Sequence, residues 1–162
     1  MDEIIVHDTR DKPGKHENVD RWLTEHGYKI IRSKLWVGDV TFLHDQRICV
    51  DLKQNVLELA SNVFQEHERF RDECIRAKDS GIQLIVLTQE VLPYGRLDMW
   101  RSPLYEHTNK WHHRGQPISR IDPARLRKAL YTMQEEYSTK FRFCHPDDTG
   151  QRLIEYLKGE RT

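Results

Sequence analysis

The fold is decided by the stretch GDVTFLHDQRICVDLK, which occupies residues 38–53. Two apolar runs, at 40–43 and 48–52, stand on either side of the polar linker at 44–47. Short apolar runs separated by a few polar residues are typical of a β-hairpin. We therefore predict two antiparallel strands here, with the rest of the sheet built outward from them.

The end of the second hairpin strand carries two charged residues in an apolar setting. Alternate residues of a strand face the same side, so Asp51 and Lys53 project together while Val50 and Leu52 point into the core. An acid and a lysine on an apolar strand are costly to bury unless they pair or bind something. An ion pair at the surface, contributing at most about 1 kcal/mol, is the plainer alternative.

Two further carboxylates are expected near this strand end. Asp39 stands at the base of the neighbouring strand, and Asp8 follows the apolar run at 4–6. Carboxylate oxygens are the ligands that Mg²⁺ prefers in proteins. The pattern predicts that Asp8, Asp39 and Asp51 converge on one edge of the sheet. Asp39 alone is also compatible with a simple Gly-Asp turn.

Hydrophobic periodicity predicts the remaining elements. In order, these are a strand at 4–6, a helix around 19–23, a strand at 28–35, the hairpin, a long helix from 56 to 77, a strand at 83–88, a helix at 123–137, a strand at 141–144 and a last helix at 153–157. This order predicts an α/β fold in which helices flank a mixed sheet.

The helix from 56 to 77 is predicted to be continuous because its apolar residues step by four and three. The stripe consists of Val56, Ala60, Val63, His67, Phe70, Cys74 and Ala77. We therefore expect His67 to be a core histidine. Residues 1–162 are expected to form a single domain with a core at 4–90, a basic loop at 93–121 and a C-terminal α-β-α segment at 122–160.

Composition excludes several classes of protein. Hydrophobic residues make up 37% and charged residues 32% of the 162 residues, which is too apolar for a disordered chain and too charged for a membrane protein. The three cysteines, Cys49, Cys74 and Cys144, are far apart and odd in number, so neither a disulfide framework nor a zinc cluster is predicted. The acidic start Met1-Asp2-Glu3 does not fit a signal peptide. We expect a cytoplasmic protein that associates with the nucleoid.

The formal net charge is zero, but a basic stretch lies between residues 101 and 130. It contains seven basic residues and two acids. Clustered basic residues indicate a surface for nucleic acid when they share one face. We predict that Arg114, Arg120 and Arg127 contact DNA phosphates. A solvated basic loop is the alternative.

The charged residues of the hairpin resemble a known nuclease core. Asp39 and Asp51-Leu52-Lys53 resemble the PD-(D/E)xK motif of the restriction-endonuclease-like fold. More narrowly, the stretch VHDTRD at 6–11, together with 38–40 and 50–53, is similar to the nuclease domain of the XPF family of structure-specific endonucleases. The resemblance covers about residues 4–90.

The sequence departs from the XPF pattern at several positions. The family shows Asp-x-Arg-Glu, Gly-Asp-Tyr and Glu-Arg-Lys elements followed by a downstream Asp. Here Asp11 replaces the first Glu, Val40 replaces the Tyr, and Asp51-Leu52 replaces Glu-Arg. Glu58 is the downstream acid, one place later than the family spacing. The lost arginine affects substrate details rather than metal binding.

The resemblance implies a divalent-metal-dependent endonuclease. Asp39 and Asp51 would hold Mg²⁺, or Mn²⁺ as a substitute. Lys53 would orient and help deprotonate the attacking water, or neutralise charge developing on the phosphate. Asp8 would add a ligand through water or anchor the site. In this region we predict DNA contacts for three residues that complete the predicted site: Arg10, Gln54 and Arg69.

The resemblance also implies a substrate and partners. Branched or junction-containing DNA is the expected substrate, in repair or recombination, and the pattern is closest to compact phage or bacterial versions without a helix-hairpin-helix module. A homodimer is expected, since XPF-type nuclease domains pair and the long helix and the helix at 123–137 offer much apolar surface. The alternatives are a restriction-type or junction-resolving enzyme, and a DNA-binding accessory module that has lost cleavage.

Overall fold

A computed structural model describes residues 3–90, 112–113, 116–117 and 123–162. In this part of the chain the helices are α1 (Glu17–Glu25), α2 (Val56–Phe64), α3 (His67–Asp79), α4 (Pro123–Tyr137) and α5 (Thr149–Leu157). The strands are β1 (Ile4–His7), β2 (Lys29–Arg32), β3 (Val40–Phe42), β4 (Ile48–Lys53), β5 (Gln83–Gln89), β6 (His112–His113), β7 (Gln116–Pro117) and β8 (Lys140–Cys144). A short 3₁₀ helix, Pro146–Asp148, precedes α5.

Six of these strands form one mixed sheet in the order β2-β1-β3-β4-β5-β8. The pairs β1–β2, β4–β5 and β5–β8 are parallel, whereas β3 runs antiparallel to both β1 and β4. The hairpin of β3 and β4 therefore lies in the middle of the sheet. The predicted α/β fold with a mixed sheet is confirmed. The strands β6 and β7 pair with each other inside the segment predicted as a basic loop.

Helices cover the sheet on two faces, and each face has its own apolar core. One core joins the sheet to α2, α3 and α4, and the other joins it to α1 and α5. The alternation of β4 assigns its residues to these faces as predicted, since Cys49 belongs to the first core and Val50 and Leu52 to the second. Asp51 and Lys53 therefore lie on the face covered by α2 and α3.

The prediction of one continuous helix from 56 to 77 is wrong. The chain forms α2 and α3 with a break at Gln65 and Glu66, where Glu66 leaves the helical region with φ −106° and ψ 35°. Its amide donates back to the carbonyl of Ser61 at 3.0 Å, which closes a wider turn than a helix allows. Val63 and Phe70 are seven residues apart, so the apolar spacing passes through the break unchanged. His67 is exposed at the start of α3 and is not a core histidine.

The apolar stripes that suggested a dimer are covered within the chain. On α2 and α3 they pack into the same core as Leu126, Leu130 and Met133 of α4. The apolar surface of these helices therefore gives no reason to expect a dimer. Among the described residues, no helix has both the length and the apolar character needed to cross a membrane.

Gly38 lets the hairpin strands approach closely at the point where Asp39 enters the sheet. Its φ is +75°, and a Cβ placed there would lie 3.1 Å from the Cβ of Cys49 and 3.2 Å from the carbonyl oxygen of Val50. The next amide, that of Asp39, donates to the same Val50 oxygen at 2.9 Å. A side chain at position 38 would therefore push the two strands apart where the predicted site is built.

We predict that Gly38→Ala is more destabilising than Gly81→Ala. Both glycines have positive φ, but a Cβ at Gly81 meets nothing within 4 Å. The change at Gly81 should cost about 1 kcal/mol of unfolding free energy for the left-handed backbone alone. The change at Gly38 adds crowding against backbone and should cost about 2–4 kcal/mol. Urea denaturation followed by circular dichroism measures both, and equal losses would contradict this account.

Candidate active site

Asp51 and Lys53 form a buried ion pair at the end of β4. Lys53 Nζ lies 3.1 Å from Asp51 Oδ2, with only 8% and 6% of the two side chains exposed. The same ammonium donates to Asn62 Oδ1 at 3.2 Å and lies 5.5 Å from the ring centroid of Phe70. The alternative of a surface ion pair is therefore excluded, because α2 and α3 remove both charges from water.

Asp39 stands directly beside this pair. Its Oδ2 accepts a hydrogen bond from the Leu52 amide at 2.8 Å, so its side chain bonds across to β4 rather than closing a local turn. Burial and the adjacent charge of Asp51 raise the pKa of Asp39 well above its usual range. Burial also opposes ionisation of Asp51, but the Lys53 ammonium outweighs it and lowers the pKa of Asp51.

Glu73 on α3 is a fourth charged residue of the site, and the sequence analysis missed it. Its Oε1 accepts from the Gly38 amide at 3.3 Å. Burial, followed by the negative charge of Asp51, raises the pKa of Glu73 to about 7. A signal was present, because Phe70, Glu73 and Ala77 share one helical face and Glu73 is an acid on that apolar face.

These residues open into a cavity of about 170 Å³. Its lining holds more acids than bases, namely Asp8, Asp11, Asp39, Asp51, Glu58, Glu66 and Glu73 against Arg10, Lys15, Lys53 and Arg69. Clustered carboxylates repel one another unless cations lie between them. The cavity is therefore suited to divalent cations. Its wall contains Asp8, Asp39 and Asp51, the three carboxylates that were predicted to converge on one edge of the sheet.

Asp8 lines the cavity, but other groups already engage its carboxylate. Arg10 Nη2 donates to Asp8 Oδ2 at 2.6 Å and Arg10 Nε to Oδ1 at 3.0 Å, while the Leu35 amide donates to Oδ2 at 3.0 Å. Burial opposes its ionisation, but these bonds prevail and lower the pKa of Asp8. Of the two roles considered for Asp8, this geometry favours anchoring the site. Arg10 also donates to the Leu35 carbonyl at 2.6 Å, so it serves the same anchor.

A second polar cluster adjoins the first at the end of β1. His7 Nε2 lies 2.6 Å from Asp11 Oδ2 and His7 Nδ1 lies 3.1 Å from Asp20 Oδ1. Burial alone would lower the pKa of His7, but these two acids raise it to about 9. His16 is buried in the same cluster, and its burial lowers its pKa. The sequence analysis singled out neither histidine, although Asp11 stands only four residues after His7 and five before His16.

The remaining predicted residues lie around the cavity or away from it. Arg69 on α3 is exposed and lines the cavity. Gln54 is exposed and donates from Nε2 to the Lys15 carbonyl at 2.9 Å. Arg127 is half-buried on α4. Arg114 and Arg120 lie outside the described residues, so their predicted contacts have no structural counterpart here.

We predict that Glu73 makes the metal-free protein less stable at high pH. The pKa of Glu73 is about 7 in the folded protein, whereas the ordinary value for a glutamate is 4.5. Because the pKa of Glu73 is higher in the folded than in the unfolded protein, ionisation of this carboxyl destabilises the fold. The unfolding free energy is therefore highest below the unfolded-state pKa and falls as pH rises to the folded-state pKa. Between pH 5 and 8, without divalent cations, the wild type should lose about 1–3 kcal/mol more unfolding free energy than Glu73→Gln.

Urea denaturation at several pH values in EDTA measures this difference. Glu25→Gln, an exposed change on α1, is the matched control and should follow the wild type. Parallel pH profiles for the wild type and Glu73→Gln would contradict the burial of this carboxylate beside Asp51.

Comparisons with known proteins agree with this fold. The family model described as the ERCC4 domain matches residues 8–157. XPF from Aeropyrum pernix matches the structure with a TM-score of 0.64 at 16% identity, over 97% of this chain and 64% of that chain. XPF from Aeropyrum pernix in complex with DNA matches with a TM-score of 0.62 at 16% identity, over 98% and 64%.

The chain thus spans less than two thirds of the length of these two structures. No curated protein sequence matches it. The family match nevertheless covers most of the chain, and the shared fold agrees with it. The protein belongs to the ERCC4 domain family and has the restriction-endonuclease-like fold of the XPF-type nuclease domain.

Proposed function

We propose that the protein is a divalent-metal-dependent endonuclease that cleaves branched or junction-containing DNA. The observation that carries this proposal is the buried pair of Asp51 and Lys53 beside the half-buried Asp39 in the wall of an acidic cavity. Lys53 Nζ lies 3.1 Å from Asp51 Oδ2, and Asp39 adjoins them through the Leu52 amide. Membership of the ERCC4 domain family and the likeness to a DNA-bound XPF structure support a role on DNA.

The donor groups fit a hard divalent cation. Asp39 and Asp51 are adjacent carboxylates, and the pKa of Asp39 is raised by burial and by this neighbour, so a positive charge between them would relieve repulsion. Oxygen donors of this kind suit Mg²⁺ or Mn²⁺. Glu73 is another carboxylate of the same cavity. We propose that Asp39 and Asp51 hold the cation, with Glu73 next to them.

Lys53 acts on the reacting groups as a cation rather than as a base. Burial would lower its pKa, but Asp51 and Asp39 outweigh burial and raise it, so the ammonium stays protonated at neutral pH. Asn62 accepts from it at 3.2 Å and fixes its direction. A protonated lysine can orient a water and neutralise charge developing on a phosphate. A bound divalent cation supplies Lewis-acid stabilisation and lowers the pKa of water.

The alternative is a DNA-binding accessory module that no longer cleaves. A buried lysine paired with an acid is costly to keep unless it has a function, and the pair here is complete. We therefore favour the enzyme. A restriction-type or junction-resolving enzyme would use the same core, and cleavage of flap, junction and plain duplex DNA side by side separates these activities.

We predict that Asp51→Asn abolishes cleavage but preserves DNA binding. The change keeps the side-chain shape and removes one charge and one strong ligand. Cleavage in Mg²⁺ or Mn²⁺ should fall at least about 100-fold, as should that of Lys53→Met, because the remaining groups no longer position the water and phosphate. Cleavage of branched DNA and gel-shift binding measure the two effects, with EDTA as the blank.

Thermal melting provides an independent readout of the same change. Without metal, Asp51→Asn should melt below the wild-type temperature, because the buried Lys53 ammonium loses the carboxylate that it pairs with. Mg²⁺ should raise the melting temperature of the wild type more than that of the variant. Cleavage by Asp51→Asn at the wild-type rate would overturn the proposed site, and binding without cleavage by the wild type in Mn²⁺ would favour the accessory module.

We predict that Arg69 contacts phosphate. Arg69→Ala should weaken binding to all DNA structures similarly and reduce the salt slope by about one ion. Arg47→Ala is the matched control, since Arg47 lies at the opposite end of β4 and pairs with Asp45 at 2.8 Å.

The triple alanine change at Arg114, Arg120 and Arg127 should also weaken binding uniformly. Unchanged affinity at two salt concentrations would contradict either prediction.

We also propose that two copies pair and that the chain forms one domain inside the cell. Resemblance to XPF-type nuclease domains supports pairing, and the free cysteines, of which Cys49 and Cys74 are buried, suit a reducing compartment. Light scattering at tens of micromolar should give twice the 19.4 kDa of one chain. A particle of 19.4 kDa would exclude the dimer.

A further inference from the structure

We infer that Asp11, His16 and Asp39 form a second divalent-cation site, selective for an ion such as Mn²⁺ that accepts a nitrogen ligand. The inference deepens the proposed function and rests on it only through Asp39, which both sites share. One ligand atom from each of the three residues lies within 4.8 Å of those of the other two. The three come from the loop after β1, the start of α1 and the start of β3, so the tertiary fold brings them together.

His16 is the observation that points to a ligand. Its side chain is 1% exposed, and neither ring nitrogen has a hydrogen-bond partner among the residues that the structure describes. Buried polar groups are nearly always satisfied, so an imidazole without a partner needs an explanation. Its Nε2 lies 3.4 Å from Asp11 Oδ2, which directs the ring towards the carboxylates of the cluster.

A simple ion pair between His16 and Asp11 does not account for this arrangement. A charge-assisted N–H to carboxylate bond is about 2.7–2.9 Å long, and the 3.4 Å separation is not a hydrogen bond. A neutral imidazole beside two carboxylates is the form in which histidine binds a metal.

Neighbouring residues orient Asp11 in the way that the ligands of metal sites are usually oriented. His7 Nε2 lies 2.6 Å from Asp11 Oδ2, and His7 is itself fixed by Asp20 at 3.1 Å. Outer partners of this kind orient the ligands of metal sites. Asp11 Oδ1 lies 3.9 Å from Lys15 Nζ, beyond hydrogen-bond distance. That oxygen can therefore face a cation while His7 holds the other.

The donor set decides which ion is preferred. Two carboxylates favour Mg²⁺, Ca²⁺ or Mn²⁺, whereas imidazole favours transition ions. The combination suits Mn²⁺ better than Mg²⁺. Cations on both sides of Asp39 would form a pair that shares one carboxylate, an arrangement that many phosphodiester-cleaving enzymes use.

The test is electron spin-echo envelope modulation spectroscopy of the full chain with Mn²⁺ and without DNA. A ¹⁴N modulation shows an imidazole bound directly to Mn²⁺. We expect two Mn²⁺ per chain by calorimetry and a ¹⁴N modulation in the wild type. Asp51→Asn should lose one Mn²⁺ and keep the modulation. His16→Gln should lose the modulation and bind the second Mn²⁺ at least 10-fold more weakly, while His44→Gln, an exposed control on the hairpin, should match the wild type.

The wild-type spectrum alone decides the inference if a variant fails to fold. Absence of ¹⁴N modulation in the wild type overturns it, and so does modulation that survives in folded His16→Gln. Asp11→Asn is the second variant and should also weaken the second Mn²⁺. Cleavage is not part of the readout. An inactive protein with the modulation refutes the proposed function alone, and an active protein without it refutes this inference alone.

Discussion

The rest of the structure depends on the ion pair between Asp51 and Lys53 on an apolar strand. Removing two charges from water costs several kcal/mol per ion unless close partners replace the solvent. The fold supplies these partners from α2 and α3, where Asn62 accepts from the ammonium at 3.2 Å and Phe70 lies 5.5 Å from it. The helices that cover this face therefore complete the core, and their side chains replace water around the Lys53 ammonium.

Backbone hydrogen bonds connect the site directly to the sheet. The Asp8 amide donates to the Asp39 carbonyl at 2.7 Å, and the Asp39 amide donates to the Val50 carbonyl at 2.9 Å. The Leu52 amide then donates to Asp39 Oδ2 at 2.8 Å. The end of β1 and the two hairpin strands are thus held together by backbone hydrogen bonds of the sheet. The carboxylates cannot separate without loss of strand pairing, which preorganises them for a cation.

The sequence predicts those parts of the fold that depend on local pattern. The alternation of β4 places Asp51 and Lys53 on one face because strand periodicity is a local property. The break between α2 and α3 escapes detection because the spacing from Val63 to Phe70 equals two helical turns in either case. Glu73 could have been noticed as an acid on the apolar face of α3, but its proximity to Gly38 and Asp51 appears only in the tertiary fold. The same holds for His16, which the fold brings close to Asp39.

The charge balance of the cavity predicts that the proposed DNA binding depends on the proposed cations. Three of its bases are already paired, Arg10 with Asp8 at 2.6 Å, Lys15 with Glu58 at 2.7 Å and Lys53 with Asp51 at 3.1 Å. Arg69 forms no ion pair within the described part of the chain. A phosphate that approaches would meet more negative than positive charge, and bound divalent cations would reverse this balance. The same ions that our proposal assigns to the chemistry would then also admit the substrate, and rim residues such as Arg69 would set the affinity.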